Sequence, residues 1–215
     1  MPWRFEIQDW LDTEATGDIY HFGIWFGDSL INIANSLAYP ENFRHIAFDS
    51  FEGLPLDPNE PLWHPEWHPE TGYQNAYSAK TWAKTNDDEK VLNKVNDYIK
   101  SKTEATFQLV PGFYENSLTD DLVKELELEP AIYIDVDCDI YTSSVECLDF
   151  MARNKLIVPG TVIGFDDWKC TPDWEVCLTG ESRAWLEIQK KYGIASHYVA
   201  QHQGLNDWVV EVDVV

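Results

Sequence analysis

Five aspartates cluster at the ends of two short apolar runs. Ala131-Ile132-Tyr133-Ile134 leads into Asp135, Asp137 and Asp139 at alternate positions. Thr161-Val162-Ile163-Gly164-Phe165 leads into the pair Asp166-Asp167, followed by Trp168. If the two runs are neighbouring parallel strands, their carboxylates converge at the carboxyl edge of the sheet, where open α/β sheets bind ligands. Ionised carboxylates sharing one site repel each other, so some are protonated, or they point apart, or a cation lies among them. An all-oxygen set suits Mg²⁺, Ca²⁺ or Mn²⁺ and not zinc. The competing reading has half of them facing solvent or capping helices.

A second constellation lies upstream. Gly23-x-x-x-Gly27 follows the run Ile19-Tyr20-His21-Phe22, and Asp49 ends His45-Ile46-Ala47-Phe48. Glycines after a strand let backbone approach a ligand closely. A carboxylate at the tip of the next strand can accept hydrogen bonds from ribose hydroxyls. The spacing is not G-x-G-x-x-G, so a dinucleotide is not specifically indicated, and turn closure alone also accounts for the glycines.

The elements that must carry these residues read as alternating strands and helices. A short amphipathic helix is expected over Phe5–Glu14 and a first strand over Ile19–Gly23, followed by a glycine turn. Asp28 or Ser29 would cap a helix carrying Leu30, Ile33, Ala34 and Leu37, which stops before Pro40. The strand His45–Phe48 completes a βαβ unit. Residues 50–84 break the rhythm: the segment is rich in Pro, Trp, His and Tyr and repeats Trp-His-Pro-Glu at Trp63–Glu66 and Trp67–Glu70. Long irregular segments of this kind are often lids or binding loops, and no metal-ligand spacing fits this one. The pattern resumes with a helix lined by Val91, Val95 and Ile99, a strand over Ala105–Val110 ending at Pro111-Gly112, and a helix over Ser117–Leu126. After the two acidic strand ends and the helix between them comes a helix over Glu181–Tyr192. His197–Ala200 and Trp208–Val214 then form a closing pair, antiparallel because no helix fits between them. About seven strands are expected, in one domain over 1–215 with an irregular lid or insertion at about 54–84.

The chain has 215 residues, 44% of them hydrophobic and 14% aromatic, and a formal net charge of −23. It is long enough to bury a core. Its charge argues against nucleic acid and anionic membranes as partners, since both would be repelled. Cys138, Cys147, Cys170 and Cys177 form no C-x-x-C pair, so neither a zinc site nor a thioredoxin motif is indicated. The absence of an 18-residue apolar run and of a basic-then-apolar start leads us to expect a soluble, cytoplasmic protein.

Four segments carry a resemblance to a known family. The string His45–Pro55 (HIAFDSFEGLP), Val110–Leu118 (VPGFYENSL), Ile134–Ser144 (IDVDCDIYTSS), and Pro159-Gly160 with Phe165–Trp168 (FDDW) occur in that order. Together they resemble the macrocin O-methyltransferase family, over about residues 17–185. This resemblance implies a Rossmann-like class I methyltransferase fold, with a mostly parallel seven-stranded sheet, an antiparallel last strand and helices on both faces. It implies S-adenosylmethionine as cofactor, a Mg²⁺ or other divalent cation, and methyl transfer to a hydroxyl of a sugar or glycosylated small molecule. On it, His21, Gly23, Gly27, Ser29, Asp49, Ser50, Phe51, Gly112 and Asp137 are expected around the cofactor. Asp137, Asp166 and Asp167 are expected to hold the metal, with Asp139 a weaker candidate. Asp137 and His202 are expected in catalysis. The partner is a small-molecule acceptor, and relatives that form dimers or larger assemblies leave room for a homo-oligomer. His21 stands where the family carries an acidic residue, so a diverged, non-catalytic binding protein is the alternative.

Overall fold

The computed structural model describes residues 7, 16–55, 78–168, 180–201 and 208–215. Strands β1 (Asp18–Phe22), β2 (Arg44–Asp49), β3 (Thr106–Pro111), β4 (Ala131–Val136), β5 (Val162–Phe165), β6 (Ala195–Gln201) and β7 (Trp208–Val214) make one sheet. Its seven strands run in the order β3-β2-β1-β4-β5-β7-β6. The first five pair in parallel, and β7 is antiparallel to both β5 and β6. β1 and β4 are buried along their whole length. Both faces of these central strands are covered, which is why their sequences read as near-continuous apolar runs.

Helices α1 (Asp28–Ser36), α2 (Ala79–Ala83), α3 (Asp88–Lys100), α4 (Tyr114–Ser117), α5 (Asp120–Glu125), α6 (Tyr141–Arg153) and α7 (Gly180–Tyr192), with a short 3-10 helix at Pro40–Asn42, complete the described elements. The two faces of the sheet take different helices. Tyr20, Phe22, Phe48, Ile134, Val136 and Phe165 pack with Leu148 and Met151 of α6 and Trp185 and Ile188 of α7. On the other face Ile19 packs with Ile33 of α1, and Ala47 packs with Leu30 of α1 and with Val91, Val95 and Ile99 of α3. Alternation along each strand sends neighbouring side chains to opposite layers.

Most expected elements appear, with local differences. Neither Asp28 nor Ser29 caps α1: its N-cap is Gly27, in a left-handed conformation and without a side-chain bond. The single helix expected over Ser117–Leu126 is two short ones, because Thr119 interrupts the run and its hydroxyl caps α5 through the Leu122 N–H. The Phe5–Glu14 helix falls largely outside the described residues, as do the Trp-His-Pro-Glu repeat, His202, Cys170 and Cys177. Among the described residues no helix is long and apolar enough to cross a membrane.

Candidate active site

Four backbone hydrogen bonds continue the parallel ladder one residue past the strands. The Gly112 N–H donates to Asp49 O (2.9 Å), Gly23 N–H to Phe48 O (3.0 Å), Asp137 N–H to Phe22 O (2.9 Å) and Asp166 N–H to Val136 O (3.1 Å). These rungs bring the glycine turn, the β2 tip and both acidic strand ends to one level of the carboxyl edge. The strand order reverses here, at β1 and β4, and this is the switch point at which open α/β sheets bind ligands.

A cavity of about 850 Å³ opens at that point, and Gly23, Ser29, Asp49, Ser50, Asp137, Asp166 and Asp167 all line it. Two loci that lie far apart in the chain therefore share one volume. Gly23 has φ 84°, and a Cβ there would overlap the carbonyl of Asp137, so only glycine lets β1 and β4 approach this closely. Trp25, Phe51 and Asp139 also take positive φ, of 52°, 59° and 64°. Such conformations are costly for residues with a side chain and concentrate at ligand-binding edges. At Asp139 the chain turns off the line of β4.

Asp49 organises the wall opposite the acidic cluster. Its Oδ2 accepts from the N–H groups of Ile24 (2.9 Å) and Trp25 (2.7 Å), and its Oδ1 accepts from the Phe51 N–H (2.6 Å). The carboxylate thus holds the loop after β1 onto the tip of β2. Burial pushes its pKa above the ordinary value, and the three amide bonds pull it back down. A carboxylate oxygen accepts about two hydrogen bonds. Oδ1 therefore keeps capacity for one further donor, such as a ribose hydroxyl.

Four sequence candidates do not line the cavity: His21, Gly27, Phe51 and Gly112. His21 is fully buried in the core, where its Nε2 lies 2.9 Å from His45 Nδ1 and its Nδ1 lies 3.8 Å from Asp135 Oδ2. Strand alternation turns its side chain into the sheet layer, away from the edge. Gly27 serves helix packing, since a Cβ there would run into the Ile99 side chain. Phe51 is core, and the Gly112 amide makes a rung of the ladder. Asp135 is also core, two residues before the cavity begins.

The cavity is acidic. Asp28, Asp49, Glu115, Asp137, Asp139, Glu146, Asp166 and Asp167 line it, and among the described lining residues none is Lys, Arg or His. Behind the cluster sits Glu181, in the first turn of α7 and fully buried. Its Oε1 accepts from the Cys138 N–H (3.2 Å) and its Oε2 from the Asp167 N–H (2.9 Å). Burial, then the charges of Asp167, Cys138, Asp166 and Asp137, hold its pKa well above the usual carboxylate range. Sequence reasoning missed Glu181, because an acidic residue in a first helical turn ordinarily reads as a solvated partner of the helix dipole. The all-oxygen chemistry of Asp137, Asp166 and Asp167 suits a hard divalent cation. Yet among the described residues no group of three or more His, Cys, Asp or Glu is gathered so that it could hold a metal ion.

Solved structures share this architecture. The O-methyltransferase NovP matches with a TM-score of 0.65 at 15% identity, covering 99% of this chain and 78% of that one. CalS11, a calicheamicin methyltransferase, matches with a TM-score of 0.53 at 17% identity, covering 96% and 74%. An O-methyltransferase from Bacillus cereus, solved in complex with SAH, matches at 0.53 with 13% identity, covering 99% and 81%. At these identities the likeness is one of fold, and with the strand order it defines a Rossmann-like methyltransferase fold. No curated protein matches the chain in sequence. The model of the macrocin-O-methyltransferase family matches residues 5–190. The chain belongs to that family and is an O-methyltransferase.

Proposed function

We propose that this enzyme transfers the methyl group of S-adenosylmethionine to a hydroxyl of a sugar or glycosylated small molecule. The observation that carries this reading is the single cavity joining the Gly23 turn and Asp49 to Asp137, Asp166 and Asp167. The Gly23–Ser29 turn offers close backbone approach for the methionine end of the cofactor. The remaining capacity of Asp49 Oδ1 suits its ribose, with Ser50 beside it. The donor carries a net positive charge through its sulfonium, and eight carboxylates around the cavity complement it. The structure of the Bacillus cereus enzyme with SAH supports the same cofactor class.

Asp137 and His202 are the proposed catalytic groups, receiving the proton that the acceptor hydroxyl loses. Methyl transfer asks little more of the protein than alignment of the hydroxyl with the sulfonium methyl, which a pre-shaped cavity supplies. The acidic lining favours a neutral or cationic acceptor over a phosphorylated one. A divalent cation is a separate proposal resting on donor chemistry alone: Asp137, Asp166 and Asp167 would hold it, and when bound it would acidify the acceptor hydroxyl. The burial of His21, which is not among the described lining residues, speaks against a pocket degraded at that position. We also propose that 1–215 is one domain, with an irregular lid or insertion at about 54–84, much of which lies outside the described residues.

Calorimetry tests the cofactor. Micromolar binding of S-adenosylmethionine or S-adenosylhomocysteine supports the reading, and no heat and no thermal shift with either would sink it. For the cation, a Mg²⁺-dependent rise in melting temperature should vanish in an Asp166→Ala, Asp167→Ala double variant. An equal shift in both proteins rejects those two residues as ligands.

A further inference from the structure

Just past the paired strands at the acidic edge, one side chain bridges β4 and β5. The Asp166 N–H to Val136 O bond is a backbone rung between them one residue beyond β5. The Asp167 amide comes one residue after Asp166 and the Cys138 amide two residues after Val136, and both donate to the same carboxylate, Glu181, at 2.9 and 3.2 Å. Glu181 is fully buried, so it brings no surface charge to the edge. It is anchored by α7, whose Ala184, Trp185 and Ile188 are buried in the core. The two amides it grips adjoin Asp137 and Asp166, and one of them belongs to Asp167. Without such a brace, the mutual repulsion of these like charges would splay the strand tips.

We infer that Glu181 is a positioning residue that sets the separation and aim of Asp137, Asp166 and Asp167. It acts through their backbone and does not itself face the cavity. This inference rests on the reading of those three carboxylates as the working edge of the site. Glutamine at this position keeps the shape but presents an NH₂ group to one of the two amides, so one bond is lost. Alanine loses both.

The test compares wild type, Glu181→Gln and Glu181→Ala by amide hydrogen exchange and by calorimetric titration with Mg²⁺ and with S-adenosylhomocysteine. Exchange at both the Cys138 and Asp167 amides should quicken at least tenfold in the alanine variant, and at one of the two in the glutamine variant. The Gly23 and Gly112 amides, on the same edge but away from Glu181, should change less than twofold. Mg²⁺ affinity should fall at least tenfold, while S-adenosylhomocysteine affinity stays within about threefold. Unchanged exchange at Cys138 and Asp167 would overturn the brace, and so would an equal rise at all four amides, which marks general loosening. Unchanged Mg²⁺ affinity in the alanine variant would overturn the positioning role. If the wild type itself binds no Mg²⁺, the cation proposal fails instead. The exchange pattern alone then decides on Glu181: local loss of protection supports it and uniform behaviour rejects it.

Discussion

Asp49 shows how one side chain can serve both fold and site. Its three amide bonds hold the loop after β1, and the same carboxylate faces the cavity. Asn in its place turns an NH₂ group toward amides that need an acceptor. Asp49→Asn should therefore lower stability by about 1–3 kcal/mol in a urea melt and abolish S-adenosylhomocysteine binding by calorimetry. His45 gives a pH signature. Burial, reinforced by the charge of His21, holds its pKa well below the ordinary histidine value of about 6.5. The folded state keeps it neutral, whereas the unfolded chain takes up a proton below about pH 6.5. Its contribution is thus present above that pH and is lost as pH falls, by about 1.4 kcal/mol per pH unit until the folded-state value is reached. His45→Gln keeps a polar group toward His21 and should flatten the drop in melting temperature between pH 7 and 5. A variant as steep as the wild type assigns the acid sensitivity elsewhere.

At the scale of elements, the two ends of the parallel sheet do different work. The carboxyl end carries the cavity, and its tightest point is Gly23 against the Asp137 carbonyl. Gly23→Ala should push β1 and β4 apart at the edge and cost at least tenfold in S-adenosylhomocysteine affinity, measured by calorimetry. The amino end is tied by Arg44. Its Nε donates to Asp18 Oδ1 (2.8 Å), one terminal nitrogen to Asp18 Oδ2 (2.6 Å) and Glu127 O (2.8 Å), and the other to Leu126 O (2.8 Å). Arg44→Ala leaves the buried Asp18 without its cation and should lower stability by about 2 kcal/mol while leaving cofactor affinity unchanged. The elements themselves were largely legible, because β1, β4 and β5 are near-continuous apolar runs and α3 has a clear amphipathic period. Helix starts were less so. Asp28 and Ser29 are good capping residues by type, but the sharp turn at Gly27 takes the N-cap position ahead of them.

For the molecule as a whole, charge sets the rules. A formal net charge of −23 makes the folded state repel itself, and salt screens that repulsion. Raising NaCl from about 0.05 to 0.5 M should raise the melting temperature by several degrees. The same salt should weaken S-adenosylmethionine binding more than S-adenosylhomocysteine binding, because only the former has a net positive charge for the acidic cavity to attract. Nucleoside-diphosphate sugars should compete poorly with neutral or cationic glycosides, a preference that titration at low salt would reveal most clearly. The two acidic strand ends, the glycine turn and Asp49 could all be read from residue order, since strand tips and turn glycines are local features with local causes. So could the pairing of β6 with β7, which the short connection between them forces. Where the side chains of His21 and Glu181 lie, and what Gly27 packs against, was decided only by the tertiary structure. Whether a side chain at a strand end faces the edge or the sheet layer depends on the pleat and on its neighbours across the sheet. Whether a carboxylate in a first helical turn meets water or the amides at two neighbouring strand ends depends on where that helix docks.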